Sequence, residues 1–156
     1  GAHVLDLVCW WMDGSPQLTS YRDDSFGGCE AVAEVKFGTG TCDARVKLSW
    51  LNKLDNRYVI EGTQGRIEGE IYEWDKLTLT TGGSSKQLSI SSDVKYFEHF
   101  RRPLLRNFLD VTTGRASSKI TPHDVEDSIA LMERCYNNRQ QFDLPWMKNL
   151  ETTTYA

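Results

Sequence analysis

Residues 42–51 read CDARVKLSWL, and this stretch shows the clearest two-residue periodicity in the sequence. Apolar Ala44, Val46, Leu48 and Trp50 alternate with charged or polar residues. A strand turns successive side chains to opposite faces of its sheet, so this alternation is typical of a strand with one buried face. The stretch therefore predicts a half-buried β-strand.

The neighbouring segments continue the strand pattern on both sides. Residues 30–37 alternate in the same way, with Val35 and Phe37 on the apolar face, and the glycines of residues 38–40 would close a hairpin. Further short strands, separated by turns rich in glycine, asparagine and aspartate, are predicted at residues 17–22, 58–61, 66–73, 76–81 and 86–91. Short strands joined by such turns indicate a mostly antiparallel meander.

From residue 94 onward the apolar residues change to helical spacing. Pro103 lies inside this pattern and should either start a new helix or kink a longer one, and Gly114 should end it. Thr121 and Pro122 form a start signal for a last helix, because threonine caps helices and proline fits the first turn. The buried stripe of that helix is expected to contain Val125, Ile129, Met132 and Tyr136.

A run of strands followed by a run of helices indicates the α+β class. We expect an open, mostly antiparallel sheet with helices packed on one face, formed by residues 1–139. Trp50, Tyr72 and Trp74 would lie on the other face, which would be available for oligomerisation. Residues 140–156 are expected to form a C-terminal tail, in which Trp146 could dock and the end frays.

The first residues, 1–14, read GAHVLDLVCWWMDG and predict a helix that is apolar nearly all the way round. Only Asp6 interrupts the run from Val4 to Met12. A helix of this kind is buried or lies between two parts of a protein. Because no N-cap residue precedes it, we expect this chain to be part of a larger protein. His3 and Asp6 would then lie where another domain packs.

Composition narrows the function classes. The chain has 156 residues, of which 39% are hydrophobic and 26% charged, as in an ordinary globular domain. The net charge is −4 and the basic residues are scattered, which argues against a nucleic-acid surface. The longest apolar run is too short to span a bilayer, and no cationic segment precedes it as in a signal peptide.

The four cysteines are Cys9, Cys29, Cys42 and Cys135. None belongs to a Cys-x-x-Cys pair, and none has a histidine at zinc-ligand spacing. Cys9 and Cys135 lie on predicted apolar helix faces, where a free thiol packs as a small hydrophobe. We therefore expect reduced thiols in a cytoplasmic protein, with neither a disulfide framework nor a metal site.

Three segments carry a resemblance to a known family. The first residues fit G-x-H-x-x-D followed by an apolar helix and Gly14. Ser49-Trp50 and YVIEGTQGRIEG at residues 58–69 come next, and RNFLDVTTGRASSKITPHDVEDSIALMERCYNNR at residues 106–139 fits a closing pair of helices. In this order and spacing, the segments resemble the C-terminal domain of the glucose–fructose oxidoreductase and inositol dehydrogenase (Gfo/Idh/MocA) family of NAD(P)-dependent oxidoreductases.

The resemblance implies a fold like that of the C-terminal domain of dihydrodipicolinate reductase, with dimers formed through the sheet. In this family an N-terminal Rossmann domain, absent from this chain, holds NAD or NADP with G-x-G-x-x-G and Glu-Lys-Pro motifs. The glycine pairs of this chain do not lie between a buried parallel strand and a helix in the predicted order, so they are not expected to cradle phosphate. The chain alone is therefore expected to bind no cofactor and to be inactive.

The resemblance also implies roles for three residues of the first helix and a sugar, inositol or related polyol substrate. His3 matches the family's catalytic histidine, which exchanges a proton with the substrate hydroxyl during hydride transfer. Asp6 would orient His3, bind a substrate hydroxyl or make a structural hydrogen bond, and the last is favoured. Trp10, like Trp11, would stack on a sugar ring in the substrate cleft or pack in the core, and core packing is favoured for at least one of the two.

Other sites and functions remain open from the residues alone. His99, Arg101 and Arg102 could contact an anionic substrate or a partner subunit, although a solvated helix end is favoured. A non-catalytic binding or assembly module that dimerises through its exposed sheet face is the alternative function, because no cofactor motif is present. A small hydrolase is poorly supported, since no Ser-His-acid order is evident.

Overall fold

The computed structural model describes residues 1–12, 15–25, 30–73, 75–90 and 98–143. The helices and strands in chain order are α1 (Ala2–Trp11), β1 (Gln17–Asp23), β2 (Val32–Gly38), β3 (Asp43–Ser49), β4 (Arg57–Gly62), β5 (Gly65–Glu70), β6 (Lys76–Thr81), β7 (Ser84–Ser89), α2 (Glu98–Thr112), α3 (His123–Asn137) and β8 (Arg139–Gln141). The chain divides into two compact units. The first unit contains Gly1–Lys53 and Thr121–Ala156, and the second contains Leu54–Ile120.

The α+β class is confirmed, but the strands form two sheets where the sequence predicted one open sheet. The orders are β3-β2-β1-β8 in the first unit and β4-β5-β6-β7 in the second. Two strands that are joined by a short turn pair as a hairpin. Strands β3 and β4 are separated by the longer connection of residues 50–56, and they do not pair. That connection includes Asn56, whose φ is +49°. Periodicity alone does not determine whether strands separated by such a connection pair.

In the first unit, β1, β2 and β3 are antiparallel and β8 pairs with β1 in parallel. The predicted alternation of β2 is confirmed, because Ala33, Val35 and Phe37 are buried. Val35 faces Val46 of β3 across the ladder, and Val46 is buried as well. This apolar face of the sheet forms the core on which the helices pack.

Helices α1 and α3 cover that face. Leu5 of α1 and Leu131 and Cys135 of α3 belong to one buried apolar cluster with the inward residues of β2. The predicted stripe of α3 was wrong in part, since Ile129 and Tyr136 are more than half exposed. Apolar residues surround much of this helix, so their spacing alone does not select the buried side. The buried polar Ser128 marks that side.

The start of α3 lies one residue later than predicted, because Pro122 rather than Thr121 is the N-cap and no side chain caps the helix. The Thr121 hydroxyl donates to the Asp124 carboxylate at 2.8 Å, and the backbone N–H of Thr121 donates to the same oxygen. These hydrogen bonds, the backbone one first, hold the pKa of Asp124 below its ordinary value. The acidic half of a capping box is therefore present, while α3 itself begins at His123.

In the second unit, β4 to β7 form the predicted antiparallel meander. Pro103 lies inside the continuous helix α2 and does not start a new helix. Gly114 has a φ of +70° and follows the end of α2, which confirms the predicted C′ glycine. Among the described residues of this unit no side chain is fully buried, and Leu105 and Phe108 of α2 are 63% and 62% exposed.

Several predicted features lie outside the described residues. They are the turn at residues 13–14, the glycines at residues 27–28, Cys29, Trp74, the first helical residues from 94, and Trp146 in the tail. The division into residues 1–139 and a tail stays a prediction. No helix in the described part of the chain is both long enough and apolar enough to span a membrane.

The outer face of the first sheet carries an ion-pair cluster centred on Glu34. Glu34 is 6% exposed and lies opposite Arg22 in the β1–β2 ladder. Its carboxylate accepts hydrogen bonds from Arg22 at 3.0 Å and from Arg45 at 2.6 Å. The hydrogen bond from Arg45, aided by that from Arg22, outweighs burial and holds the pKa of Glu34 below its ordinary value. The central strand therefore has an apolar face and a charged face.

The two sides of α3 should differ sharply in their effect on stability. Leu131 is 0% exposed and Ile129 is 56% exposed. Leu131→Ala should lower the free energy of unfolding by about 2–5 kcal/mol, because it leaves a cavity in the core. The matched variant Ile129→Ala should change it by about 0.5 kcal/mol or less. Urea unfolding followed by circular dichroism measures both values, and equal losses would contradict the assigned buried side.

The Glu34 cluster predicts how stability depends on pH. Because the folded-state pKa of Glu34 lies below its ordinary 4.5, the unfolded state binds the proton more readily. The stabilising contribution is therefore fully present above the ordinary pKa and is lost as the pH falls through the folded-state pKa. Glu34→Gln should flatten the decline of the unfolding free energy with falling pH, whereas Glu133→Gln, at an exposed position of α3, should not. If the unfolding free energies of wild type and Glu34→Gln decline in parallel as the pH falls, this assignment is refuted.

Candidate functional site

The three predicted site residues share one face of α1. His3, Asp6 and Trp10 follow the spacing i, i+3 and i+7, which places them in one stripe about 10 Å long. His3 is exposed, Asp6 is partly buried, and Trp10 is 80% exposed. The alternative that Trp10 packs in the core is therefore wrong. The arrangement offers a titratable ring, a carboxylate and an indole along one helix face.

Asp6 contacts α3, and no hydrogen bond joins it to His3. The Ser128 hydroxyl donates to Asp6 Oδ1 at 2.9 Å. His3 has no hydrogen-bond or ion-pair partner among the residues that the structure describes. The structural hydrogen bond favoured from sequence is thus present, while a substrate contact by the second Asp6 oxygen stays a prediction.

Helix α1 begins with a turn bonded through its backbone and is anchored in the first unit at two further points. The Gly1 carbonyl accepts the N–H groups of Val4 and Leu5 and so forms the first turn, which has no side-chain cap. Leu5 is 4% exposed and anchors the helix in the core. Beyond the end of the helix, Arg134 Nη2 donates to the Pro16 carbonyl at 2.7 Å. These contacts hold the face that bears His3 outward.

A small open pocket lies beside the start of α1. It has a volume of about 130 Å³ and is lined by residues that include Ala2, Tyr21, Glu30, Trp50 and Tyr136. The pocket touches the helix that carries His3, but His3 itself is not part of its lining.

The polar groups of this pocket belong to a hydrogen-bonded network. The Tyr136 hydroxyl donates to Glu30, and this bond, with burial, raises the pKa of Tyr136. The rings of Tyr21 and Tyr136 meet edge to face with centroids 5.9 Å apart. Burial, followed by a hydrogen bond to Asp23, raises the pKa of Tyr21. Both phenols are therefore protonated near neutral pH and are not bases.

Asp23 and Asp24 are fully buried and have structural partners. Asp24 Oδ1 accepts the N–H groups of Ala31 and Val32, both at 2.8 Å. Asp23 accepts the N–H of Ser25 at 3.0 Å and pairs with Arg139 of β8. These carboxylates hold the end of β1 to its neighbours. They do not act as candidate acids or bases for a substrate.

The thiols of Cys9 and Cys135 are unsuited to nucleophilic chemistry. Burial raises the pKa of Cys9 and that of Cys135 to about 11 each, so both are protonated at neutral pH. Cys42 is exposed, and the three cysteines in the described ranges are free. No group of three histidine, cysteine, aspartate or glutamate residues within those ranges could hold a metal ion.

The described glycine pairs do not fit a dinucleotide site. Gly62 and Gly65 flank the turn between β4 and β5, and Gly82 and Gly83 form the turn between β6 and β7. A phosphate cradle requires a strand followed by the N-terminus of a helix. Antiparallel hairpins lack that arrangement, so these glycines serve tight turns.

The other two histidines, His99 and His123, belong to α2 and α3 rather than to α1. His99 and Arg101 belong to the first turns of α2 and border a largely apolar pocket of about 330 Å³ with Lys119. Arg101 and Arg102 are exposed, in keeping with the favoured solvated helix end. The His123 side chain is 91% exposed and contacts Glu126 at 3.0 Å.

No protein-family model and no curated protein matches the sequence. Solved structures do resemble the fold. KijD10, a 3-ketoreductase from Actinomadura kijaniata in complex with NADP and TDP-benzene, aligns with a TM-score of 0.70 and 10% identity, covering 92% of this chain and 46% of that chain. Aldose–aldose oxidoreductase from Caulobacter crescentus, complexed with glycerol, aligns with a TM-score of 0.70 and 16% identity, covering 88% and 43%.

A third example is biliverdin reductase from Synechocystis sp. PCC 6803, in complex with biliverdin and NADP+. It aligns with a TM-score of 0.66 and 10% identity, covering 88% of this chain and 44% of that chain. The chain thus spans less than half the length of each of these three proteins. At these identities the likeness shows the fold alone. This chain has a fold that forms part of several larger oxidoreductases.

Proposed function

We propose that this chain is the substrate-binding and oligomerising domain of an NAD(P)-dependent oxidoreductase of the Gfo/Idh/MocA family. One observation carries the proposal: about nine-tenths of the chain aligns with less than half of larger oxidoreductases, two of them solved with NADP. The sequence resemblance from Gly1 to about Arg139 supports the same family. The remainder of such an enzyme would be an N-terminal Rossmann domain.

His3 is the proposed catalytic residue. Nicotinamide held by the Rossmann domain would supply hydride-acceptor chemistry. When a secondary alcohol loses hydride, its hydroxyl proton must leave as well. An imidazole titrates in the neutral range and is suited to take this proton. His3 is exposed and has no partner among the described residues, so its ring nitrogens are available to a substrate hydroxyl.

Asp6 and Trp10 are the proposed substrate-binding residues. Ser128 occupies Asp6 Oδ1, and no contact is recorded in the described part of the chain for the second carboxylate oxygen, which would accept a substrate hydroxyl. Trp10 presents an indole face that is 80% exposed, and aromatic faces pack against the C–H faces of sugar rings. A hydroxyl acceptor and a stacking surface on one helix suit a sugar, inositol or related polyol.

The name of one structural neighbour agrees with that substrate class, since it is an aldose–aldose oxidoreductase. Biliverdin reductase has the same fold, so the fold does not fix the substrate and the α1 side chains carry this part of the proposal. NAD or NADP would bind to the Rossmann domain. A cytoplasmic location stays a prediction drawn from cysteine usage.

The proposal is tested in the full-length protein. His3→Asn should lower kcat for sugar or polyol oxidation about 10²–10⁴-fold, because it removes the proton acceptor. NAD(P)H binding should be unchanged, and His123→Asn, at an exposed position of α3, should retain the wild-type rate. The 156-residue chain alone should give no saturable NADH fluorescence change. A fully active His3→Asn enzyme would overturn the role of His3. Saturable NADH binding by the chain would overturn the assignment of cofactor binding to the Rossmann domain.

A non-catalytic assembly module is the second candidate, and the exposure of Trp50 favours it. Trp50 follows the end of β3 and is 88% exposed. It borders the pocket beside α1 together with Ala2 and Leu48, so the prediction that it lies on the face away from the helices was wrong. An exposed tryptophan is nevertheless a common centre of a protein interface. Such a surface would serve self-association with or without catalysis.

Trp50→Glu should therefore shift the chain toward monomer, because a carboxylate would be buried without a partner at the contact. Light scattering coupled to size-exclusion chromatography over a range of concentrations measures the change. Lys47→Glu, an exposed charge change on β3, is the matched control and should leave the mass unaltered. An unchanged mass and solubility for Trp50→Glu would remove the support for this interface.

A further inference from the structure

The packing of α1 on α3 is mostly non-directional. Val8 and Cys9 of α1 lie against the buried cluster that contains Leu131 and Cys135 of α3. Apolar contacts hold the two helices together but depend little on their exact register. A sub-ångström shift or a small rotation of α1 would cost little apolar burial, yet it would displace the exposed His3 side chain.

One directional contact lies within this interface. Ser128 is 3% exposed, and its Oγ lies 2.9 Å from Asp6 Oδ1 and 3.0 Å from the carbonyl oxygen of Val125. The hydroxyl carries a single proton, and a carboxylate is the stronger acceptor of the two. The proton is therefore directed to Asp6, across residues that are 122 positions apart in the chain.

This contact lies close to His3 along α1, so a change in the contact should change the position of His3. Asp6 lies three residues after His3, less than one helical turn away. The other directional anchor, from Arg134 to the Pro16 carbonyl, lies beyond the far end of the helix. The Ser128–Asp6 hydrogen bond is thus the described polar contact to α3 that lies nearest to His3.

We propose that Ser128 is a positioning residue for the reaction, acting through Asp6 to fix the register of α1 and the place of His3. This inference rests on the proposed function of His3. Ser128 itself touches no substrate. Its hydroxyl bonds Oδ1 of Asp6. The second oxygen, Oδ2, would then serve the substrate contact proposed above.

The chain offers a direct readout, because it contains only three histidines, His3, His99 and His123. Their imidazole Cε1–Hε1 correlations in a two-dimensional NMR spectrum report each ring separately. Ser128→Ala should move the His3 correlation and leave that of His99 in place. Ile129→Ala, the neighbouring exposed position of α3, should move neither, and Ser128→Thr should restore the wild-type His3 position.

A double-mutant cycle tests whether Asp6 is the route. Asp6→Ala removes the acceptor and keeps the Ser128 hydroxyl on the Val125 carbonyl, so it should displace the His3 correlation as well. Adding Ser128→Ala to Asp6→Ala should then produce no further displacement. If Ser128→Ala does not fold, Asp6→Ala and Ser128→Thr decide the question. An unmoved His3 correlation in a folded Ser128→Ala or Asp6→Ala chain would overturn the inference.

Kinetics in the full-length protein connect the contact with catalysis. Ser128→Ala should lower kcat ten- to a hundredfold and leave KM within about twofold, since misplacing a catalytic group affects the chemical step more than substrate binding. An unchanged kcat would overturn the inference even if His3 moves. Absence of any oxidoreductase activity in the wild-type protein would instead overturn the proposed function, and the NMR result would still decide whether Ser128 sets the position of His3.

Discussion

The burial of Val35, Phe37 and Leu131 against one another in a single cluster is the constraint on which the first unit depends. These three side chains are each at most 1% exposed, and they join the central strand β2 to the last helix. Helix α1 is held on the same cluster through Leu5. Because α1 can bury only that side, its remaining surface, with His3 and Trp10, faces outward. The exposure of the candidate site is therefore a result of core packing.

Buried carboxylates also help to specify the arrangement of the chain around this core. Asp23, Asp24 and Glu34 are all buried, and each accepts hydrogen bonds from backbone N–H groups or arginines. A buried carboxylate oxygen is tolerated when it has such partners, and the bond then favours one arrangement of the surrounding chain. Asp24 Oδ2 is an exception, since it is buried and has no hydrogen-bond partner among the described residues. Asp24 fixes the residues before β2, and Asp23 fixes β8. These groups specify the fold in places where apolar contacts would permit several arrangements.

The sequence was informative where structure is local. The alternation around Phe37 and the glycine after α2 at Gly114 both depend on neighbours in the chain, and the structure confirms both. Strand β8 escaped prediction because it is three polar residues long, and it is held by the pairing of Arg139 with Asp23. The buried side of α3 was misjudged because its decisive residue, Ser128, is polar and its partner Asp6 is remote in sequence.

For the site, sequence placed His3, Asp6 and Trp10 on one helix, and the geometry of an α-helix then brings the three to one face. The sequence did not identify Ser128, because a hydrogen bond between residues that are distant in the chain produces no periodic pattern. Nor did it define the pocket beside Ala2, whose lining comes from α1, α3 and the sheet together. Local sequence patterns do not show which residues from distant parts of the chain come together at the site.

The interleaving of the two units along the chain has a consequence for how the protein is made. The first unit is closed by contacts such as that between Asp23 and Arg139, which are 116 residues apart, whereas the second unit is one continuous segment, Leu54–Ile120. During synthesis the second unit emerges completely while the first still lacks α3 and β8. Closing a loop costs entropy that grows only with the logarithm of its length. The central segment can therefore lengthen or shorten over evolutionary time with little effect on the closure of the first unit, which makes it the natural place for relatives to diverge.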